Sequence, residues 1–393
     1  MRQNTRYDVI IVGGGPAGGL LGYYLARSDL KVLIIEKKDI PRYKACGGGL
    51  TRRAFEAIPF DIGDVVEDYT YTAKMLFMGR PLFSKTLDRP IIAMVMRDRF
   101  DAFLIEKAVS MGAIFQENTS FRTLSGNAGD LTVTTSKGKF KTQIIVGADG
   151  VNSRVAKILG LRVKSNFMTA IEGEVYPKNP ADIERFKGSV HYDFGVIPKG
   201  YGWVFPKTTH LSIGVGTFSP VLKNWKQVLN SYLTLKNLHT FEKLNPLKGH
   251  LIPFRPKKNN IVSCSKGLLA GDASGFADPL TGEGLFYAIQ GAKIASEAIV
   301  NGFESELENL NRYTKSIKKQ FQKDLICAGR MAHMLYTFPN LGRRILNAHA
   351  EDLASKQLAV ICGELTYSTL FRELLLQIMS PAKILPVLFK SLS

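Results

Sequence analysis

The sequence predicts an α/β protein in which a nucleotide-binding layer is interrupted by an antiparallel sheet and followed by a mostly helical C-terminal region. Three observations carry that expectation. A β-branched apolar run enters a Gly-rich turn near the N-terminus, short Gly/Asp segments recur far downstream at the ends of apolar runs, and a strand-rich stretch punctuated by Pro and Gly lies between them.

Tyr7-Asp8-Val9-Ile10-Ile11-Val12 leads into Gly13-Gly14-Gly15-Pro16-Ala17-Gly18 and then into an apolar helix through Leu25. This is a βα unit. Gly13 permits the tight turn, Gly15 lets the backbone approach a pyrophosphate, Gly18 lets helix and strand pack closely, and the free N–H groups at the helix start, around Ala17, face the anion. The next strand, Lys31 to Ile35, ends in Glu36, near the ~20-residue offset at which an acid accepts the ribose hydroxyls of an adenosine. That acid argues against a 2′-phosphate. A Gly-rich turn alone is common, and it is the flanking strand, the helix and the acid that make this a Rossmann-type unit.

Arg97 opens a helix running to about Met111, with Phe100, Phe103, Leu104 and Ala108 at helical spacing and Asp98 as its cap. Leu131–Thr135, a turn at Lys137-Gly138, and Phe140–Val146 form a hairpin that delivers the chain to Gly147-Ala148-Asp149-Gly150, after which Ser153 starts another helix. From 169 to 218 the pattern is strand-rich: Ala170–Tyr176, Ser189–Phe194, Tyr201–Phe205 and Leu211–Phe218 form the inserted antiparallel sheet. Ile261–Ala270 returns as a strand and ends in Gly271-Asp272, followed by a helical stretch from about Gly282 to Ile299. Residues 307–393 are mostly helical by pattern. The expected organisation is a discontinuous cofactor domain of residues 1–168 and 248–303, with substrate-side segments near 60–95. An antiparallel-sheet substrate domain spans 169–247 and a helical region 304–393.

With 393 residues, 45% of them hydrophobic and 22% charged, the chain has enough apolar material for a sizeable core. Its 52 Lys and Arg against 34 Asp and Glu give a formal net charge of +18, which suits an anionic partner such as a membrane surface or a phosphorylated substrate. No basic repeat interleaved with stacking aromatics appears, so nucleic acid is not expected. No signal peptide precedes the first strand, and the expected location is the cytoplasm. The four cysteines form no C-x-x-C pair, the histidines show no metal spacing and no Ser has the G-x-S-x-G setting, so no metal site, disulfide framework or hydrolytic site is expected. No stretch reaches the ~18 apolar residues of a spanning helix. The tail segments Leu374–Met379 and Ile384–Phe389, interrupted by Pro and Lys, suit a surface-lying helix or one packed on the body, and peripheral membrane association follows as an expectation. Oligomeric state is not readable.

The Gly-rich turn, Glu36, Asp149 within Gly147–Gly150 and Asp272 after Gly271 make sense together as one pocket for FAD. Asp272 sits between a buried strand and a helix, placed to accept from ribityl hydroxyls. Gly282 and Gly284, in Asp278-Pro279-Leu280-Thr281-Gly282-Glu283-Gly284, lie at a helix start whose positive end favours the charge of a reduced flavin. Arg97 is read as a cofactor contact or as an ordinary surface charge. Tyr201, Trp203 and Phe205 alternate along a strand, so they share one face and line an apolar pocket, with Pro206 closing its end, or else form a plain aromatic core.

In combination the Gly13–Gly18 turn, Glu36, Arg97, Ala148-Asp149-Gly150 and Gly271-Asp272-Ala273 resemble the flavoprotein hydroxylase superfamily. Three further stretches, Pro41-Arg42-Tyr43-Lys44-Ala45-Cys46-Gly47-Gly48-Gly49, Tyr201-Gly202-Trp203-Val204-Phe205-Pro206-Lys207 and Asp278–Gly284, resemble the geranylgeranyl reductase family. The resemblance covers about residues 7–300. It implies a p-hydroxybenzoate hydroxylase-like fold and reduction of isolated C=C bonds in a polyprenyl chain of a lipid, quinone or pigment precursor. FAD delivers hydride from N5, and NADPH or a reduced carrier is the donor. It also implies that the Lys44–Gly49 loop, with Cys46 and Gly47, lies by the flavin. Cys46 then either donates the proton or shapes the pocket, with Tyr201 or water as the other proton source. The competing readings are a monooxygenase or halogenase of the same fold, and a flavoprotein kept for electron relay.

Overall fold

In the strand Arg6–Val12, Val9, Ile10, Ile11 and Val12 are all buried, so both faces need cover and the strand sits inside a sheet rather than at its edge. A computed structural model describes residues 5–161, 163–219, 224–238, 240–244, 247–254, 259–304, 310–337 and 351–379. In it Arg6–Val12 pairs in parallel with Gly138–Gly147 on one side and Val32–Ile35 on the other. Gly267–Leu269 and Ile114–Gln116 extend this sheet in parallel at its two flanks. The helix Pro16–Ala26 packs against the helices Arg97–Ser110 and Leu285–Glu304. Fully burying each aliphatic side chain of these strands contributes ~1.5–3 kcal/mol.

The register brings the expected segments to one end of the sheet. Val12 lies opposite both Ile35 and Gly147, and Gly147 lies opposite Leu269. The turns that follow, at Gly13, Glu36, Ala148 and Ala270, therefore emerge side by side at the carboxyl ends of parallel strands, where open α/β sheets form a binding crevice.

The second sheet has eight strands. Asn166–Pro177 lies between Leu211–Thr217, Phe241–Leu244 and Lys248–Phe254, all antiparallel, and Leu211–Thr217 continues through Gly200–Pro206 to Ser189–Phe194. Thr72–Phe77 joins in parallel to Ser189–Phe194 and forms a hairpin with Arg80–Thr86. The sheet thus gathers residues from upstream and downstream of the 169–218 stretch. Lys248–Phe254 pairs here, although the sequence reading groups it with the cofactor segments. A third, small sheet joins Gly49–Thr51, Ile92–Val95 and Val66–Thr70.

Several local expectations need correction. The Arg97 helix is capped by Met96 with no side-chain bond, and Asp98 lies in its first turn, its carboxylate accepting from the Arg99 N–H. Residues 261–270 do not form one strand: Ser263–Cys264 and Gly267–Leu269 are an antiparallel pair joined by a turn. The helix expected from Gly282 begins at Leu285, because Gly282 has φ of +73° and cannot be helical. The Ser153 cap is present, its hydroxyl accepting from the Ala156 N–H.

At the C-terminal end the helices Asn311–Thr337, 351–361 and Tyr367–Met379 are described. Ala332, Tyr336, Leu358 and Ile361 from them, with Cys362 in the turn that follows 351–361, join one apolar cluster with Met168, Tyr201, Trp203 and Phe205 of the second sheet. These helices therefore cover the aromatic face. Leu374 is buried while Leu375 and Leu376 are exposed. The tail segment Ile384–Phe389 lies outside the described residues, and among those residues no helix is long and apolar enough to cross a membrane.

Candidate active site

The cradle begins with backbone. Gly13 has φ of +115°, and a Cβ there would lie 2.2 Å from the Ala148 carbonyl oxygen. A Cβ on Gly18 would lie 1.9 Å from the Gly13 carbonyl oxygen. Neither position admits another residue, so turn and helix are forced into contact. At Gly15, by contrast, the nearest atom to an added Cβ is an Arg42 guanidinium nitrogen at 3.8 Å, which leaves the helix start open. The first turn of that helix carries no acidic residue and no side-chain cap. An open helix N-terminus facing a guanidinium fits a pyrophosphate.

Glu36 is buried at the end of the neighbouring strand and receives the N–H groups of Gly14 at 2.9 Å and Lys38 at 3.1 Å. Arg42 approaches it at 3.6 Å and also donates to Asp101 at 3.1 Å. Asp101, fully buried one helical turn after Arg97, accepts from Arg97 Nε at 2.8 Å and Nη2 at 3.0 Å. Arg97 is thus a buried, paired cation and not a surface charge. Burial alone would lower its pKa, but Asp101 and then Cys46 outweigh that and hold it above the usual range.

A cavity of about 580 Å³ runs from this cradle to the aromatic face of the second sheet. Its lining includes Gly13, Gly15, Ala17, Glu36, Cys46, Gly47, Arg97, Asp149, Asp272, Gly282, Gly284, Tyr201, Trp203 and Phe205. Gly18 lies beneath it as a packing residue. Pro206 is outside the lining and does not close the pocket: strand alternation turns it away from Phe205, with Val204, whose side chain packs in the core on the opposite face. Asp149 lines the cavity, but its oxygens accept from the Ser153 hydroxyl at 2.5 Å and from the N–H groups of Arg154 at 2.7 Å and Val155 at 3.2 Å. Its carboxylate serves the start of the Arg154–Ile158 helix.

The Lys44–Gly49 loop lies directly on the aromatic strand. A Cβ on Gly47 would come within 2.9 Å of the Trp203 indole nitrogen and the Phe205 ring, and Gly48, at φ of +67°, has the Val95 carbonyl 1.9 Å from its missing Cβ. Lys207 pins the loop from below, donating to the carbonyls of Gly47 at 2.9 Å and Val95 at 3.0 Å. Glu172 holds it from the side, accepting from the Cys46 N–H at 2.6 Å and the Tyr43 hydroxyl at 3.0 Å. The Gly48 N–H points at the Cys46 sulfur at 3.4 Å.

Asp272 stands 3.5 Å from His250 Nε2, which in turn is 3.2 Å from Lys44 Nζ. Burial would push the Asp272 carboxyl up, but the His250 hydrogen bond, Lys44 and Arg97 hold it below its ordinary value. Tyr201 donates its hydroxyl to the Thr281 carbonyl, and burial pushes its pKa far up, so it keeps its proton. Beyond Tyr201 a smaller apolar chamber of about 120 Å³ opens, sharing Tyr192, Tyr201, Thr281 and Ile361 with the main cavity and lined further by Met75, Phe194, Met331 and Leu335.

Sequence reasoning missed Arg42, Asp101, Glu172, Lys207 and His250 as site residues. Asp101 carried a signal, four residues after Arg97 on one helix face. Glu172 and Glu174 carried another, two acids alternating with apolar residues inside a strand. Arg42 and Lys207 lay inside stretches that carry the family resemblance, without a role of their own, and nothing local marked His250.

Comparisons with known proteins agree with this geometry. The family described as FAD binding domain matches residues 6–316. A geranylgeranyl diphosphate reductase of Rhodobacter capsulatus is 32% identical over 304 residues, covering 75% of each chain. A digeranylgeranylglycerophospholipid reductase of Methanopyrus kandleri is 29% identical, covering 84% of this chain and 90% of that one. A solved geranylgeranyl bacteriochlorophyll reductase-like protein of Thermoplasma acidophilum shares the fold, with a TM-score of 0.78 at 21% identity, covering 94% of this chain and 99% of that one. The chain belongs to the geranylgeranyl reductase family of FAD-dependent oxidoreductases, within the FAD binding domain family.

Proposed function

From that membership we propose that this oxidoreductase reduces isolated C=C bonds in a polyprenyl chain carried by a lipid, quinone or pigment precursor. The observation that carries the reading is the run of the main cavity from cradle to aromatic face. A dinucleotide cradle opens onto an aromatic face whose Tyr192 and Tyr201 also wall an adjoining apolar chamber, an arrangement suited to a cofactor at one end and a hydrocarbon chain at the other. When bound, FAD supplies the hydride at N5.

The chain's own residues do the rest. The Gly13–Gly18 turn with Arg42 holds the pyrophosphate, Glu36 the ribose, and Asp272 the ribityl hydroxyls. Gly282 and Gly284 stand before the Leu285 helix start, whose positive end favours an anionic flavin ring. Tyr192, Tyr201, Trp203 and Phe205 exclude water around an alkene. Cys46 is the proposed proton donor, since it lines the cavity and Tyr201 is committed to Thr281. NADPH or a reduced carrier is the proposed electron source. The net charge of +18 supports peripheral attachment to anionic membranes, which salt-sensitive liposome flotation tests.

The decisive experiment is anaerobic single turnover of pre-reduced enzyme with a geranylgeranyl lipid. The product should gain two hydrogens per bond. Cys46→Ser should keep the flavin spectrum and slow the step by about 10²-fold, the scale of a general acid. A product heavier by oxygen, formed only with O₂, would replace the reductase by a monooxygenase. Unchanged turnover in Cys46→Ser would remove Cys46 as the acid and leave the reductase reading intact.

A further inference from the structure

Glu172 does more than anchor a loop. Its Oε1 accepts both bonds from the loop, whereas Oε2 is buried with no hydrogen-bond partner. An ionised carboxylate with one bare oxygen is costly in such a place, and a neutral acid costs less because no charge is buried. Two residues along the same strand, and so on the same sheet face, Glu174 is equally buried. Glu174 Oε2 lies 3.1 Å from His210 Nε2, near enough for an ion pair but misaligned for a hydrogen bond, so both atoms keep an unfilled valence. His210 Nδ1 is 3.2 Å from the hydroxyl of Thr209, which is exposed in the turn between Gly200–Pro206 and Leu211–Thr217. Glu172, Glu174 and His210 therefore stand in succession between the cavity wall and an exposed turn, Glu172 and Glu174 sharing a sheet face with no hydrogen bond between them. Of the three only Glu172 lines the cavity.

We propose that Glu172, Glu174 and His210 form a proton-supply line from the surface turn at Thr209 to the Cys46 loop, a role that rests on the reductase reading above. Each alkene reduction consumes one proton at the carbon that does not receive hydride. The electron pair arrives with the hydride of the reduced flavin, so the line moves protons only and none of its residues changes oxidation state. The acid beside the alkene gives up its proton, Glu172 replaces it, and solvent refills Glu172 through His210 and Glu174. Glu172 is a positioning and proton-holding residue, acting through the loop it contacts.

The groups facing Glu172 agree with this assignment. Burial and then repulsion from Glu174 push its carboxyl up to about 7, against the opposing pull of the Cys46 N–H, the Tyr43 hydroxyl and Lys207. Lys248, its cross-strand neighbour on the outer side, is exposed, and the opposite neighbour is Gly214. Glu172 therefore exchanges its proton near neutrality, as a relay terminus must.

The test uses flavin-loaded protein. Glu172→Gln keeps an acceptor oxygen for Cys46 and Tyr43 but cannot carry the proton. It should retain the flavin spectrum, lower kcat at least about 10-fold with KM unchanged, and lose the pH dependence centred near 7. His210→Ala should slow turnover similarly and regain it with free imidazole, which a packing defect would not do. Independently of substrate, the infrared carbonyl band of a neutral carboxylic acid should fade as pH rises through that value in the wild type, and be missing from Glu172→Gln. An identical band in wild type and Glu172→Gln overturns the proposal, as does loss in His210→Ala that imidazole fails to restore. A wild type that reduces no prenyl substrate refutes the reductase reading instead, while the infrared comparison still judges the proton on Glu172.

Discussion

The cradle and the aromatic face are built by opposite means. Around Gly13–Gly18 the fold works by subtraction: side chains are absent, backbone groups line the cavity, and the close contact of the Gly13 carbonyl with Gly18 leaves no room for a methyl group. Around Cys46 it works by addition. Glu172 from one strand, and Trp203 and Lys207 from another, converge on one loop that Tyr43 leads into. The first region can be specified by a contiguous string of residues, and the second exists only when distant strands are in register. Sensitivity to substitution should differ accordingly, steric and absolute in the cradle, graded and pH-dependent at the loop.

The largest effect should come from Gly18→Ala. Its Cβ would sit 1.9 Å from a carbonyl oxygen that cannot swing away, so a loss of more than about 4 kcal/mol is expected, read as failure to fold or to take up FAD. A soluble, yellow Gly18→Ala protein would break the contrast. Next is the pH dependence of stability from Glu172. Its folded pKa of about 7 lies above the ordinary 4.5, so the native state holds a proton that the unfolded chain releases. Its contribution is therefore fully present below about 4.5 and is lost as pH rises to about 7, a change of about 3 kcal/mol. Denaturant melts across that range should show the decline in wild type and a flatter profile in Glu172→Gln. A profile unchanged by the substitution would mean that Glu172 is charged throughout.

Glu36→Ala should weaken FAD binding by roughly 1–3 kcal/mol, measured by flavin fluorescence titration, because charge-assisted bonds to the ribose are lost. The same substitution also releases Arg42 and the Gly14 N–H, so loss toward the upper end would indicate that the turn loosens with it. Pro206→Ala should do least. The residue faces away from the cavity, and turnover should stay within about twofold, a stability change within about 0.5 kcal/mol accompanying it. A marked rise in KM for the prenyl substrate would show that the far face of the strand shapes the pocket after all.

The contrast also explains which residues could be read directly. Gly13, Gly15, Gly18 and Glu36 were legible because the strand, the turn and the acid at its offset lie within one local stretch. Tyr201, Trp203 and Phe205 were legible as a shared face, because a strand alternates with a period of two whatever packs on it. The same rule, applied one residue further, would have turned Pro206 away. Asp98 misled because an acid in a first turn looks like a cap from sequence, whereas the cap is decided by where the backbone leaves helical geometry.

By itself, then, the sequence determined the α/β class, the Gly-rich turn, the acid at the end of the neighbouring strand, and the aromatic face, since each is fixed by steric limits or by periodicity within a few neighbouring residues. Only the tertiary structure decided that Arg42 and Arg97 share Asp101, that Lys207 and Glu172 hold the Cys46 loop from two sides, and that strands 72–77 and 248–254 belong to the same sheet as 169–218. Those pairings join residues as far apart as 160 positions, and their energy depends on burial and on the low dielectric that burial creates. A carboxylate such as Glu172 is an ordinary acid in the unfolded chain. Its upward shift arises only once the sheet has closed over it and set Glu174 alongside.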